Sequence, residues 1–268
     1  MSRPVMFHPA FAKRRDGAVI ARLRAAERRN VGWHAGLAAP LHNEIFAAGS
    51  GASGAGLALA LARDALQVAQ HRAGREPVAE REDRRMLLWV QDRASIRLTG
   101  RPCFHGLPQD LRHRLIHVEA RSPEDALFAL EEGLRCRDFA FVLGEIAGNP
   151  RALSFTASRR LSLTAERHGV PLWLVRIDAA EDLSSARMRW KVTPAASLLP
   201  RWNDAAPGAP SWRAELFRAR GHPPGEWILR DDDGKLVVSE PFATAQAKPA
   251  PDHGNLVRAV GGRSLAAI

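Results

Sequence analysis

The sequence predicts an α/β fold: a mostly parallel sheet flanked by helices, with antiparallel strands at its C-terminal end. Three observations carry that expectation. Met86–Val90, Leu115–Val118, Phe139–Leu143 and Leu172–Val175 are short continuous apolar runs, the pattern of strands buried on both faces. Helix-like segments alternate with them, and that alternation builds a parallel sheet with both faces covered. From Arg187 onward the pattern changes to Arg187–Thr193, Ser211–Ala219, Glu226–Arg230 and Lys235–Val238, which read as antiparallel strands. Asp232-Asp233-Gly234 supplies the turn of the last hairpin.

The elements follow in order. Residues 13–30 read as a basic amphipathic helix, and a Gly/Ala/Pro linker ends at Pro40, so residues 1–40 are expected to be an N-terminal extension. The folded domain spans 41–240. Its first strand lies at about 43–48, followed by a glycine-rich turn, a helix over Leu57–Gln70 and a charged loop over 71–85. Ser122-Pro123-Glu124-Asp125 is a strong helix start, with an N-cap serine, proline at the first helical position and acids in the first turn. That helix runs to about Arg137. Asn149-Pro150 is expected to open the next helix by the same device, and Gly169 to close it after His168. The tail over 241–268, rich in Ala, Pro and Gly, is expected to be disordered.

Composition narrows the class of protein. At 268 residues, 46% hydrophobic and 25% charged, the chain can bury one substantial core. Its formal net charge is +10, from 39 basic against 29 acidic residues, and nearly all the bases are Arg. Such a surplus attracts polyanions, nucleic acid above all. Codon bias explains Arg over Lys but not the excess over acids. Two cysteines, Cys103 and Cys136, make no disulfide framework and suit a reducing compartment. The N-terminus lacks a signal-peptide core and no apolar run approaches the ~18 residues of a membrane span. The expected location is cytoplasmic.

Residues 42–57 are the richest stretch. A strand, a glycine turn and a helix start carry Gly49 and Gly54 at the spacing of a nucleotide-binding P-loop. Where such a loop places Lys and then Ser or Thr, this chain has Ala55 and Gly56. The ammonium that neutralises the β- and γ-phosphates and the hydroxyl that holds magnesium are therefore both missing. Gly49, Ser53, Gly54, Ala55 and Gly56 thus outline a degenerate nucleotide site, expected to be inactive. Two other patterns overlap it. Gly49-x-Gly51-x-x-Gly54 satisfies a dinucleotide fingerprint, but the next strand-end acid, Asp92, lies well beyond the ~20 residues expected. Gly51-Ala-Ser53-Gly-Ala55 approaches a nucleophile elbow without its final glycine or an evident acid and base.

Elsewhere, Cys103, His105, His113 and His117 share no helix face and match no standard zinc spacing. Glu145 follows Phe139–Leu143 at the sheet's carboxyl edge, where a magnesium-holding Asp would be needed, and Asp92 reads as a solvated strand-end carboxylate. The candidate nucleic-acid contacts are Arg159, Arg160, Arg176, Arg187, Arg189, Lys191, Arg218 and Arg220, with Arg213 and the N-terminal cluster in support.

The order of elements over about 41–240 resembles a RecA-like core. More specifically, the chain resembles the ImuA family. The resemblance is carried by Leu41-His-Asn-Glu-Ile-Phe46, the glycine turn, the stretch Glu124–Cys136, Pro150–Leu161 with its Thr-Ala-Ser-Arg-Arg-Leu, Arg187-Met-Arg-Trp190 and Pro223-Pro-Gly-Glu-Trp227. It implies a non-catalytic accessory role in damage-induced (SOS) translesion DNA synthesis. The implied partners are ImuB (a Y-family polymerase relative lacking catalysis), an error-prone C-family DNA polymerase, RecA itself and, weakly, DNA; no cofactor is implied. Compared with RecA, the segment between Val175 and Arg187 is short, and Arg176 stands where an amide-bearing sensor would couple ATP to DNA. The alternatives are an active ATPase with Arg groups from a neighbouring subunit, or a regulator of RecA or cell division without DNA contact. A small-molecule oxidoreductase is a more distant reading.

Overall fold

A computed structural model describes residues 33–239, apart from 38, 73–82, 201–202, 204 and 233. The expected basic helix at 13–30, the tail after 240 and most of the 71–85 loop lie outside the described residues.

Nine strands form one sheet in the order β3-β2-β4-β5-β1-β6-β7-β8-β9. They are β1 (His42–Ala47), β2 (Met86–Asp92), β3 (Leu115–Ala120), β4 (Phe139–Ala147), β5 (Leu172–Ile177), β6 (Met188–Pro194), β7 (Ser211–Ala219), β8 (Gly225–Asp232) and β9 (Lys235–Ser239). The first six are parallel, with β1 between β5 and β6. The last three extend the sheet as antiparallel hairpins. This is the mixed α/β arrangement the sequence predicts, a mostly parallel sheet flanked by helices and followed by antiparallel strands.

The helices are α1 (Ser53–Arg72), α2 (Arg93–Thr99), α3 (Pro123–Arg135) and α4 (Phe155–His168). They divide between the faces because successive strand residues point to opposite sides. Ile45, Trp89, Leu143, Trp173, Val175 and Trp190 pack with Leu57, Ala58 and Leu61 of α1 on one face. Leu88, Val90, Val142, Leu172 and Leu174 meet Leu127, Leu130 and Leu161 of α3 and α4 on the other. Trp33 extends the first core, its ring edge-on to Trp190 at 4.8 Å and to Trp227 at 5.2 Å.

Local signals explain most boundaries. Ser122 caps α3, its Oγ accepting the Asp125 N–H at 3.1 Å, with Pro123 at the first helical position. Gly169 adopts φ 72° to end α4, the left-handed cap that glycine takes without penalty.

Two expectations need correction. Asn149-Pro150 does not start α4. Its side-chain amide instead ties down the loop after β5, accepting from the Ala180 N–H at 2.7 Å and donating to the Ala180 carbonyl at 3.0 Å. Pro150–Leu153 forms a turn, and Ser154 caps the helix five residues later than the sequence suggests. Likewise β4 does not end at Leu143. It continues through Gly144, where a Cβ would meet Leu130 and Leu174 side chains at 2.8–3.1 Å, so glycine there admits helix and neighbouring strand.

Candidate functional site

The glycine turn joins β1 to α1 at the carboxyl edge of the sheet, between β5 and β6, as a nucleotide site would require. One of its backbone donors is already held by a side chain. Asp178 follows β5 with a left-handed φ of 49°. Its N–H donates to the Ala47 carbonyl at 3.0 Å, and its Oδ1 accepts the Gly49 N–H at 2.8 Å. A carboxylate thus holds one of the backbone donors that a phosphate would use. The glycines serve packing. A Cβ on Gly49 would fall 2.5 Å from Asp178 Oδ2, and one on Gly54 would fall 2.7 Å from both Ala47 Cβ and Val175 Cγ1. Gly56, at the position of the magnesium-binding hydroxyl, faces the Trp212 ring, which a Cβ would meet at 3.1 Å. Ala55 packs against the apolar core, while Ser53 is half-buried at the start of α1.

Neighbouring acids at this edge are structural. Glu145 lies inside β4 and is 1% exposed, with Trp89 Nε1–H donating at 2.7 Å and the Thr99 hydroxyl at 3.0 Å. Burial pushes its carboxyl above the usual carboxylate range, against the pull of the Trp89 and Thr99 hydrogen bonds. Asp92 is buried rather than solvated. It caps α2, accepting the Ser95 N–H and the Ser95 hydroxyl at 2.7 Å each. That helix was hidden because its capping acid reads equally well as the end of a strand. Among the described residues no group of three His, Cys, Asp or Glu is placed to hold a metal.

The eight candidate nucleic-acid contacts separate sharply. Arg189 is 3% exposed, and its Nε donates to Glu44 Oε2 at 2.8 Å; Glu44 also accepts the Ser184 hydroxyl at 2.6 Å. Arg176 is also buried, 5.6 Å from the Phe46 ring centre, and burial lowers its pKa. Arg189 flanks the same ring at 5.0 Å and that of Phe217 at 5.3 Å. Both guanidiniums belong to the interior of the fold, so neither presents itself to a nucleic acid. Strand position could not reveal this, because the partner acid Glu44 lies far away in sequence on β1.

Three others, exposed Arg160 and half-buried Arg187 and Lys191, are already paired. Arg160 meets Glu131 at 2.6 Å, Arg187 Nε meets Glu166 at 2.8 Å and Lys191 meets Glu181 at 2.6 Å. Supporting Arg213 faces Glu226 at 3.5 Å. Arg159, Arg218 and Arg220 are exposed and form no ion pair among the described residues. All three converge on one groove, of about 570 Å³, between α4, the segment before β6 and the end of β7. A bulge precedes Arg218 and Arg220 on β7: Arg189 faces Arg218 while Trp190 faces Leu216, so Phe217 is the extra residue.

The groove floor is a hydroxyl chain. His42 Nδ1 is 2.7 Å from Ser162 Oγ, which is 2.6 Å from Ser185 Oγ; Ser158 lies 2.8 Å from Ser184. His42 is buried and its pKa falls to about 4, chiefly through desolvation, so it stays neutral. A pKa that low makes the imidazole a weak proton acceptor toward Ser162.

Fold and site together define a mixed α/β protein whose glycine turn has one backbone donor, the Gly49 N–H, already held by Asp178. Over 154 residues the chain is 35% identical to Protein ImuA from two strains of Caulobacter vibrioides. The match covers 54% of this chain and 59% of the relatives' length. The chain is thus similar to the ImuA proteins over somewhat more than half of their length. No family model matches the chain. No helix among the described residues is long and apolar enough to cross a membrane.

Proposed function

We propose that this protein is a non-catalytic accessory factor of damage-induced (SOS) translesion DNA synthesis, working beside an ImuB-like polymerase relative, RecA and an error-prone C-family polymerase in the cytoplasm. The single observation that supports the non-catalytic part is the glycine turn. Asp178 holds the Gly49 N–H, Trp212 closes on Gly56, and no ammonium stands at Ala55. A triphosphate would meet a fixed carboxylate where it needs positive charge. The homology to ImuA supports the system in which the factor acts. The net basic surface supports a weak electrostatic contact with DNA.

The test is ultraviolet-induced mutation frequency in the source organism with this gene deleted, complemented by variants. Gly54→Val is a poor probe, because the new side chain overlaps Val175 and Ala47 whatever the nucleotide chemistry. Gly51→Glu is better: that position is exposed, and a Cβ there has nothing nearer than Ser53 Oγ at 3.9 Å. The added carboxylate blocks a phosphate without disturbing the helix. Loss of induced mutation on deletion, restored equally by wild type and Gly51→Glu, is the expected result. Restoration by wild type alone returns the turn to the status of a nucleotide site. An unchanged mutation frequency on deletion sinks the accessory role.

A further inference from the structure

The sheet face that carries α3 and α4 is unevenly covered. Helices lie over its parallel centre, and beside α4, over the end of β7, the groove remains open. Phe155, Arg159 and Leu163 form a stripe along α4 at four-residue spacing, with Phe155 48% and Leu163 55% exposed. Arg218 and Arg220 line the same groove without acidic partners among the described residues. Aromatic, aliphatic and Arg side chains in one concavity are the composition of a protein-binding surface. Exposed Leu163 and the Glu166 carboxylate at the rim argue against a groove built for a phosphate backbone.

An occupant must bring carboxylates beside an apolar anchor. The chain's own outlying segments do not qualify, since residues 1–32 and 241–268 are both net basic. A matching surface exists on α3. Glu124, Phe128 and Glu132 form an exposed stripe at the same four-residue spacing, with Asp125 beside it. Phe128 is 66% exposed, the most of any aromatic among the described residues. Glu124 and Asp125 favour the start of the helix dipole and Glu132 pairs with Arg135 on its own helix, but neither explains the exposed ring. We propose that the α3 stripe of a second copy docks in the α4–β7 groove, joining copies head to tail. The two surfaces differ, so the contact is heterologous, and each copy keeps one free groove and one free stripe. The inference stands apart from the mutagenesis reading and requires nothing of it.

The experiment is light-scattering mass of the full chain across a concentration series, at ~50 mM and ~500 mM salt. The expected result is growth beyond the monomer at low salt, shifted at least tenfold in concentration by high salt. Phe128→Ser and the double variant Arg218→Glu/Arg220→Glu should each remain monomeric. All three substitutions are at exposed positions, and circular dichroism checks that each variant folds. Mixed together, the two variants retain one intact groove and one intact stripe, so a one-to-one dimer that grows no further is expected. A wild type that is monomeric throughout overturns the proposal, as do oligomers indifferent to both variants. The same arginine variant is assayed for binding to a twelve-residue oligothymidine. Its loss of binding, with wild type monomeric, would assign the groove to nucleic acid instead.

Discussion

The glycine turn and the α4–β7 groove are opposite kinds of surface. The turn has the spacing of a binding site, but its glycines pack tightly against Asp178, Trp212 and Val175, and Asp178 holds the Gly49 N–H. The groove has no sequence signature and stands open, with three arginines that have no ion-pair partner among the described residues. A motif records the path of the backbone, and the same path can cradle a phosphate or seat a helix on a strand. Openness depends instead on what distant segments deliver to the place. Asp178 comes from beyond β5 and Trp212 from β7, and together they decide the fate of a turn that begins after β1.

The harshest test of this contrast is the buried pair beside the groove. If Glu44 and Arg189 are interior structure rather than part of a binding surface, removing one charge strands the other. Glu44→Ala should lower unfolding stability by about 3–5 kcal/mol, the usual effect of orphaning a buried ion. Urea denaturation measures it. A loss near the ~0–1 kcal/mol of a surface pair would mean that Arg189 is in practice solvated and free to bind.

A second test uses pH. His42 has a pKa of about 4 in the fold against an ordinary 6.5. Between those values the unfolded chain binds a proton that the folded chain refuses, so stability rises with pH across the window. It is complete above about pH 6.5 and declines as pH falls toward 4, by at most on the order of 3 kcal/mol. Glu145 acts in the opposite sense. Its raised pKa makes its contribution fade as pH rises above the ordinary carboxylate range. Denaturation midpoints at pH 7 and 5 should therefore separate wild type from His42→Gln, with the variant flatter. Glu145→Gln keeps an acceptor for the Trp89 N–H and should gain on wild type at pH 8 relative to pH 4. Parallel curves for all three proteins would show that neither group is as dry as its position implies.

Much of the fold was legible because its strands are written as apolar runs between strong punctuation. Ser122-Pro123 and Gly169 mark helix ends through local hydrogen bonds and backbone freedom, and such signals need no tertiary context. Asn149-Pro150 misled because asparagine has two uses at such a point, capping a helix or tethering a loop, and residue 180 decides between them. The candidate site was legible only in outline. The degeneracy at Ala55 and Gly56 is visible in the chain, but the carboxylate that holds the Gly49 N–H is not. The list of arginines mixed buried, paired and unpaired groups, since Glu44, Glu131, Glu166 and Glu181 meet their partners only in three dimensions.

The third test returns to the turn. Gly54→Ala places a methyl within 2.7 Å of Ala47 and Val175, atoms held by a buried strand pair. The helix must retreat or the strand must shift, and overpacking of this kind costs about 1–3 kcal/mol. That loss should appear in urea denaturation and be the same with or without Mg-ATP. A nucleotide that stabilised wild type but not the variant would reveal a ligand in the turn after all.

The smallest expected effect is the most discriminating for the groove. Arg218 and Arg220 are exposed and unpaired, so reversing both charges should leave stability within about 0.5 kcal/mol of wild type. Binding to any acidic partner should nonetheless fall steeply. A clear loss of stability would mean that these arginines already hold the fold together, and the groove would then join the glycine turn as a surface engaged by its own protein.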